Sequence, residues 1–152
     1  MSHEVEKMVF AGATPWHGLG TEIGDETNFW DAFKLAGLDW EVETEPLYRM
    51  GAAHQVVGEK VKAQAAVRTS DDKVLGVVGP RWTPLQNRDA FKVFEPLIDS
   101  GDMRLHTAGS LRGGERVWVL CQLGLENTEI VKNDEIAKFA LLSNGHDGKL
   151  AV

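Results

Sequence analysis

Lys60-Val-Lys-Ala-Gln-Ala-Ala-Val-Arg-Thr69 changes side-chain character at every second residue. Val61, Ala63, Ala65 and Val67 fall on one side, and Lys60, Lys62, Gln64 and Arg68 on the other. A period of two belongs to a strand, because successive side chains leave opposite faces of the pleat. The rhythm recurs at Trp40–Tyr48, where Trp40, Val42 and Thr44 oppose Glu41, Glu43 and Glu45. The turn Ser70-Asp-Asp-Lys73 then leads into a return strand over 74–78, closed by Gly79-Pro80. Farther on, 103–111 and 116–123 read as a hairpin about Arg112-Gly-Gly-Glu115. In its second arm Val117, Val119, Cys121 and Leu123 alternate with Trp118, Leu120 and Gln122, apolar on both faces as in a central strand. A last strand is expected over about 135–143, before the turn Asn144-Gly-His-Asp-Gly148.

Only two segments carry a helical pattern. The first covers about 28–37, with Asn28 as cap, Phe29, Trp30, Phe33 and Leu35 as apolar face and Gly37 as stop. The second covers about 87–100, with Asn87 as cap and Phe91, Phe94, Leu97 and Ile98 as core. Pro96 should kink it or end it early. Helices do not alternate with strands, so the expected class is α+β, a mainly antiparallel sheet of five to six strands with two main helices. Residues 1–27 read as an extended N-terminal segment, with 1–13 loosely held. Residues 28–152 read as one domain that stops abruptly after a turn, the N-terminal portion of something longer.

Thr14-Pro-Trp-His-Gly-Leu-Gly20 packs an indole, an imidazole and two glycines into seven residues. An exposed indole forgoes apolar burial, so Trp16 is expected to be buried, capping the sheet or docking on a neighbouring subunit, with His17 hydrogen-bonded. The single Cys121 sits in an apolar run and reads as an inert buried thiol. His3, His17, His54, His106 and His146 show no ligand spacing, and His146-Asp147 is explained by hydrogen bonding within its turn as well as by a cation. Ser110 lacks the G-x-S-x-G elbow, and the glycines at 113 and 114 precede no helix that would cradle a phosphate. No catalysis, metal or cofactor is expected. The N-terminus has no signal-peptide pattern and no apolar run spans 18 residues, so a host-cytoplasmic protein without membrane contact is expected.

Net charge is −7, so no global field attracts nucleic acid. A local basic set stands out nonetheless. Lys60, Lys62 and Arg68 share a strand face, Arg81-Trp82 lies past the partner strand, and Arg104, His106, Arg112 and Arg116 gather about the second hairpin. Cations interleaved with aromatics hold single strands, phosphates on the charges and bases on the rings. Lys60, Lys62, Arg68, Arg81, Arg104 and Arg116 are the expected phosphate contacts and Trp82 the expected stacking platform.

Thr14–Gly20, Ala36-Gly-Leu-Asp-Trp-Glu-Val42, Pro46-Leu-Tyr48, Val77-Val-Gly79, Pro84-Leu-Gln-Asn87, Thr107-Ala-Gly-Ser-Leu111, Arg116-Val-Trp118 and Ser143-Asn-Gly-His-Asp-Gly148 resemble the phage/plasmid-like proteins with "domain of unknown function 932", from about residue 10 to the last. That resemblance implies a mobile-element context and no particular chemistry. The order of elements is also similar to single-strand annealing recombinases of the Red-beta and RecT type, which implies an oligomer holding a strand with its bases exposed. The expected function is a phage- or plasmid-encoded protein that binds and anneals single-stranded DNA as a homo-oligomer. The alternative is a module that blocks a host protein through an acidic surface, Glu41, Glu43 and Glu45 with Glu4, Glu6, Glu22, Asp25 and Glu26 upstream.

Overall fold

The computed structural model describes residues 4–52, 58–131 and 134–150. Among them the chain runs β1 (Val5–Ala11), β2 (Thr21–Ile23), α1 (Phe29–Leu35), β3 (Val42–Tyr48), β4 (Lys60–Arg68), β5 (Lys73–Val78), α2 (Asn87–Phe91), α3 (Glu95–Asp99), β6 (Met103–Leu111), β7 (Arg116–Val131) and β8 (Asp134–Gly145). The α+β class holds, but the strands form two sheets rather than one. A five-stranded sheet is ordered β2-β1-β6-β7-β8 and a three-stranded sheet β3-β4-β5. Every pairing is antiparallel except β1 with β2.

The N-terminal segment is not loosely held. β1 lies between β2 and β6, its Val9 fully buried and Met8 and Phe10 nearly so. Its apolar run Met8-Val-Phe10 is too short to show a period, and its partner lies about a hundred residues away, so nothing local marks it as a strand. The first helix is capped as expected: Asn28 Oδ1 accepts from Asp31 N at 2.9 Å, and Gly37 leaves the helix at φ +70°. The second is broken. Proline has no N–H and its ring crowds the carbonyl four residues earlier, so α2 stops at Phe91, a 3₁₀ turn covers Lys92–Phe94, and α3 carries Pro96 in its first turn. Gln86, not Asn87, is the cap residue, and Asn87 is turned inward.

The inner face of the larger sheet (Val9, Ala108, Val117, Val119, Cys121) packs on Phe29, Ala32 and Phe33 of α1 and on Phe91 and Phe94. Each Val or Phe of this set contributes about 1.5–3 kcal/mol on burial. A smaller core joins Val42, Ala66, Leu75 and Val78, with Trp40 and Trp82 packed against it. No helix among the described residues is long and apolar enough to cross a membrane.

In the smaller sheet β4 does not divide into one buried and one exposed face as its alternation suggests: Ala65, Ala66, Val67 and Arg68 are all buried, and Lys60, Val61 and Lys62 are all exposed. Arg68 is the ladder partner of Val42 and Ala66 that of Thr44, which puts Gln64, Ala66 and Arg68 on the core side. The opposite face carries Val61, Val74 and Val77 at 41%, 57% and 63% exposure beside Glu43 and Glu45. Small residues decide this. A Cβ at Gly76 would lie 2.7 Å from Asp147 Cα, so only the face with Ala66 and Gly76 admits the rest of the molecule this closely.

Candidate functional site

Two clusters draw together most of the motif residues. The first is a seam between the sheets. Arg68 of β4, 7% exposed, forks onto Glu6 of β1 with two bonds of 2.9 Å and onto Asp71 at 2.9 and 2.7 Å. Ser110 Oγ adds a bond to Glu6 at 3.0 Å. Hydrogen bonding from Arg68 holds the Glu6 and Asp71 carboxyls below their ordinary values. The guanidinium also stacks 5.2 Å from the Trp40 ring centroid, and Trp40 meets His146 edge-on at 5.3 Å.

His146 is fully buried, and its Nε2 lies 2.7 Å from Asn87 Oδ1. Asn87 Nδ2 donates to Leu38 O, so its oxygen faces the ring and His146 Nε2 is the proton donor. His146 Nδ1 is then a lone pair with no partner, in surroundings that push the group down to about 4 through burial. Asn144 Nδ2 donates to Leu85 O, and Gln86 bonds both the N–H and the carbonyl of Val42. Asp147 is buried and bonded to Lys149 N within its own turn. This network ties β8, α2 and the start of β3 together. It is an internal lock and presents no reactive group to solvent. Among the described residues no three His, Cys, Asp or Glu side chains come together as metal ligands.

The second cluster lies on the outer face of the larger sheet. The ladders align Met8, Gly109, Trp118 and Ser143 in one row and Phe10, Thr107, Leu120 and Leu141 in the next. Arg104, Gln122 and Phe139 form a third row. Residues 12–20 fold over the β1 end of this face. Gly20, at φ +104°, approaches so closely that a Cβ would lie 2.8 Å from Met8 Cγ. Trp118 lies across β6, its Nε1 donating to Thr107 Oγ1 at 3.1 Å, and a Cβ at Gly109 would come within 2.7 Å of its Cη2. Between the loop and Trp118 runs a groove of about 410 Å³ lined by Pro15, Trp16, His17, His106, Leu111 and Trp118 among others. His106 is the extra residue at an irregularity between Leu105 and Thr107. It packs on Phe139 at 5.1 Å. Burial and the nearby Arg104 hold its imidazole below the ordinary value.

The expected site residues divide between these places. Arg104 is exposed on the outer face with its Nη2 on Gln122 Oε1 at 3.2 Å, and half-buried Arg116 shares that face, its Nε without a partner. Arg68 belongs to the seam and is not offered to a phosphate. Lys60, Lys62 and Arg81 are exposed but belong to the other sheet and the turn after it. Trp82 is half-buried and packs against the small core, away from the outer face of the larger sheet. Trp16 is 86% exposed rather than buried, while His17 Nδ1 accepts from Leu19 N at 3.1 Å as expected of a hydrogen-bonded ring. Trp118 and Phe139 went unrecognised as site aromatics. The signal for Trp118 was present in its alternation with Val117 and Val119, which sets it opposite the core. A further cavity of about 320 Å³ beside Trp40 and Arg88 is polar, and its Arg88 already meets Asp39 at 3.4 Å.

Residues 74–152, just over half of the chain, match the family described as "Domain of unknown function (DUF932)". The match falls on the C-terminal half rather than running from about residue 10, so Thr14–Gly20, Ala36–Val42 and Pro46–Tyr48 precede it. No curated protein and no solved structure matches.

Proposed function

Because this chain belongs to the DUF932 family, whose description names no reaction or ligand, we propose its function from the outer face of the larger sheet. The protein is a phage- or plasmid-encoded single-strand DNA binder that acts as an oligomer and takes part in strand pairing. The observation that supports this most is the composition of the outer face. Trp118, Phe139 and His106 lie among Arg104 and Arg116 on a sheet surface whose Leu141 and Phe139 are 65% and 44% exposed. Flat rings beside cations suit stacked bases and their phosphates. An exposed apolar surface of this kind marks an interaction site.

The net charge of −7 assigns affinity to stacking more than to the field. With Arg104 and Arg116 as the phosphate contacts, log affinity should fall with log salt at a slope of about −1.4, at roughly −0.7 per contact on single strands. Fluorescence anisotropy of a labelled oligothymidine at two salt concentrations tests this. A shallow slope with measurable binding supports the reading, and no binding at low salt ends it. Glu41, Glu43 and Glu45, all exposed on or beside edge strand β3, support the rival reading of an acidic surface for a host protein. A stoichiometric partner captured from nuclease-treated host lysate would favour that one.

A further inference from the structure

The edge strands of the two sheets differ in how they meet solvent. An edge strand offers a row of unpaired N–H and C=O groups, and folds commonly blunt it by shortness, proline, charge or a bulge. β2 is only three residues long, β3 carries Pro46 beside exposed Glu43 and Glu45, and β5 pairs with β4 through an irregularity. β8 is the exception. It runs for twelve residues without a proline and keeps unbroken register with β7 from Lys138 to Gly145. No strand lies beyond it among the described residues. Its Phe139 and Leu141, two residues apart on the outer face, are 44% and 65% exposed. At one end β8 also leaves the sheet. β6 begins at Met103, opposite Leu123, yet β7 goes on to Val131 and β8 starts at Asp134. What projects there is a two-stranded ribbon, which is marginal in water unless a third strand or a packed face supports it.

We infer that β8 is the assembly edge of this protein, pairing antiparallel with β8 of a second copy about a two-fold axis at Ala140. The strand matches itself in that register. Phe139 comes opposite Leu141 of the partner subunit and Leu141 opposite the partner's Phe139, two aromatic–aliphatic pairs on one face. Lys138 comes opposite the partner's Leu142, so it meets no like charge. Residues 135–138 of each ribbon fall opposite 142–145 of the other copy, where β8 is backed by the full sheet. Each ribbon thereby gains its third strand, and β8 overlaps along nearly all of its twelve residues. A second copy offers what β2 does not, since pairing β8 with β2 would set twelve residues against three. A two-fold contact uses the same patch on both copies, so the edge is covered and growth stops at a dimer. The two five-stranded sheets then run on as one, with both outer faces on the same side. This deepens the oligomer part of the single-strand reading and rests on it for its purpose, while the edge argument uses no property of DNA.

Size exclusion with light scattering on the intact chain, without DNA, tests it. Twice the mass of one chain is expected at micromolar concentration. Phe139→Lys/Leu141→Lys should run at the mass of a single chain, because like charges then oppose each other in both pairs. Phe139→Glu/Leu141→Glu should do the same, and an equimolar mixture of the two should return to twice the mass. That return also shows both variants to be folded at this edge. Phe139→Cys mixed with Leu141→Cys should give a disulfide-linked dimer on mild oxidation, faster than either alone, since Cys121 is fully buried and takes no part. A wild type of single-chain mass, a dimer that survives the lysine pair, a mixture that does not reassociate, or cross-linking no faster in the mixture overturns the proposal. If a monomeric chain binds oligothymidine, the edge is refuted and single-strand binding stands. If a dimer with these responses binds no oligonucleotide, the edge stands and the single-strand reading falls.

Discussion

Acid should open this fold through His146 before its carboxylates begin to titrate. Its Nε2 proton goes to Asn87, its Nδ1 has no partner, and the Trp40 ring lies against it. A proton added at Nδ1 would be a buried charge without a counter-group, and Asp147 next in the chain only partly offsets the burial. The group therefore titrates near 4 in the fold against 6.5 in the unfolded chain. Between those values the unfolded state binds the extra proton, so stability falls as pH falls from about 6.5 towards 4 and is fully present above that window. From pH 7 to pH 5 the loss works out at about 2 kcal/mol, since each full unit of difference is worth about 1.4 kcal/mol. In a domain of this size that lowers Tm by roughly 4–8 °C. His106, also held below its ordinary value, adds a slope of the same sign, so the comparison must be with His146→Gln. Thermal melts at pH 7, 6 and 5 should show the gap between wild type and this variant narrowing by that amount. Parallel curves would refute the buried neutral imidazole.

Other outcomes follow from the same contacts. Arg68→Leu strands part-buried Glu6, while exposed Asp71 keeps its water, and should cost about 3 kcal/mol in urea unfolding, near the lower end for a broken buried pair because Glu6 is about one-third exposed; adding Glu6→Leu should recover part of it. Gly109→Ala would put a Cβ 2.5 Å from Lys7 O, 2.6 Å from Met8 Cβ and 2.7 Å from Trp118 Cη2, so it should push β1 off β6 as well as displace the indole, with a changed near-ultraviolet dichroism and a loss of about 1–3 kcal/mol from overpacking. Cys121, fully buried and pushed up to about 12 by that burial, should stay unmodified by a thiol reagent at pH 8 until the protein is unfolded.

Local signals carried the sequence reading a long way and then failed where pairing partners decide the matter. The capped helix at Asn28, the break before Pro96 and the outward Glu43 and Glu45 are each legible within a few residues, because cap chemistry, proline geometry and period two are local. The face of β4 was not. One side is apolar and the other carries Lys60, Lys62, Gln64 and Arg68, so Arg68 reads as solvent-facing until its register with Val42 is known. β1 was missed for the same reason, since its partner β6 is distant in sequence. The aromatics of the candidate site suffered the opposite error. Trp82 stood beside a cation in the sequence and is taken by the small core, whereas Trp118 reads as part of a two-sided apolar strand and faces the groove. Trp16 carried the expectation of burial that large rings usually justify, and it stands exposed at the wall of the groove instead.

The choice of face can be tested against itself. Single-strand affinity should be measured for Arg104→Ala/Arg116→Ala and for Lys60→Ala/Lys62→Ala, two double variants with the same change in charge. Reading the outer face of the larger sheet as the binding surface predicts that the first pair loses most of the affinity and flattens the salt dependence, while the second pair binds nearly as the wild type does. Loss in the lysine pair with the arginine pair unaffected would contradict it.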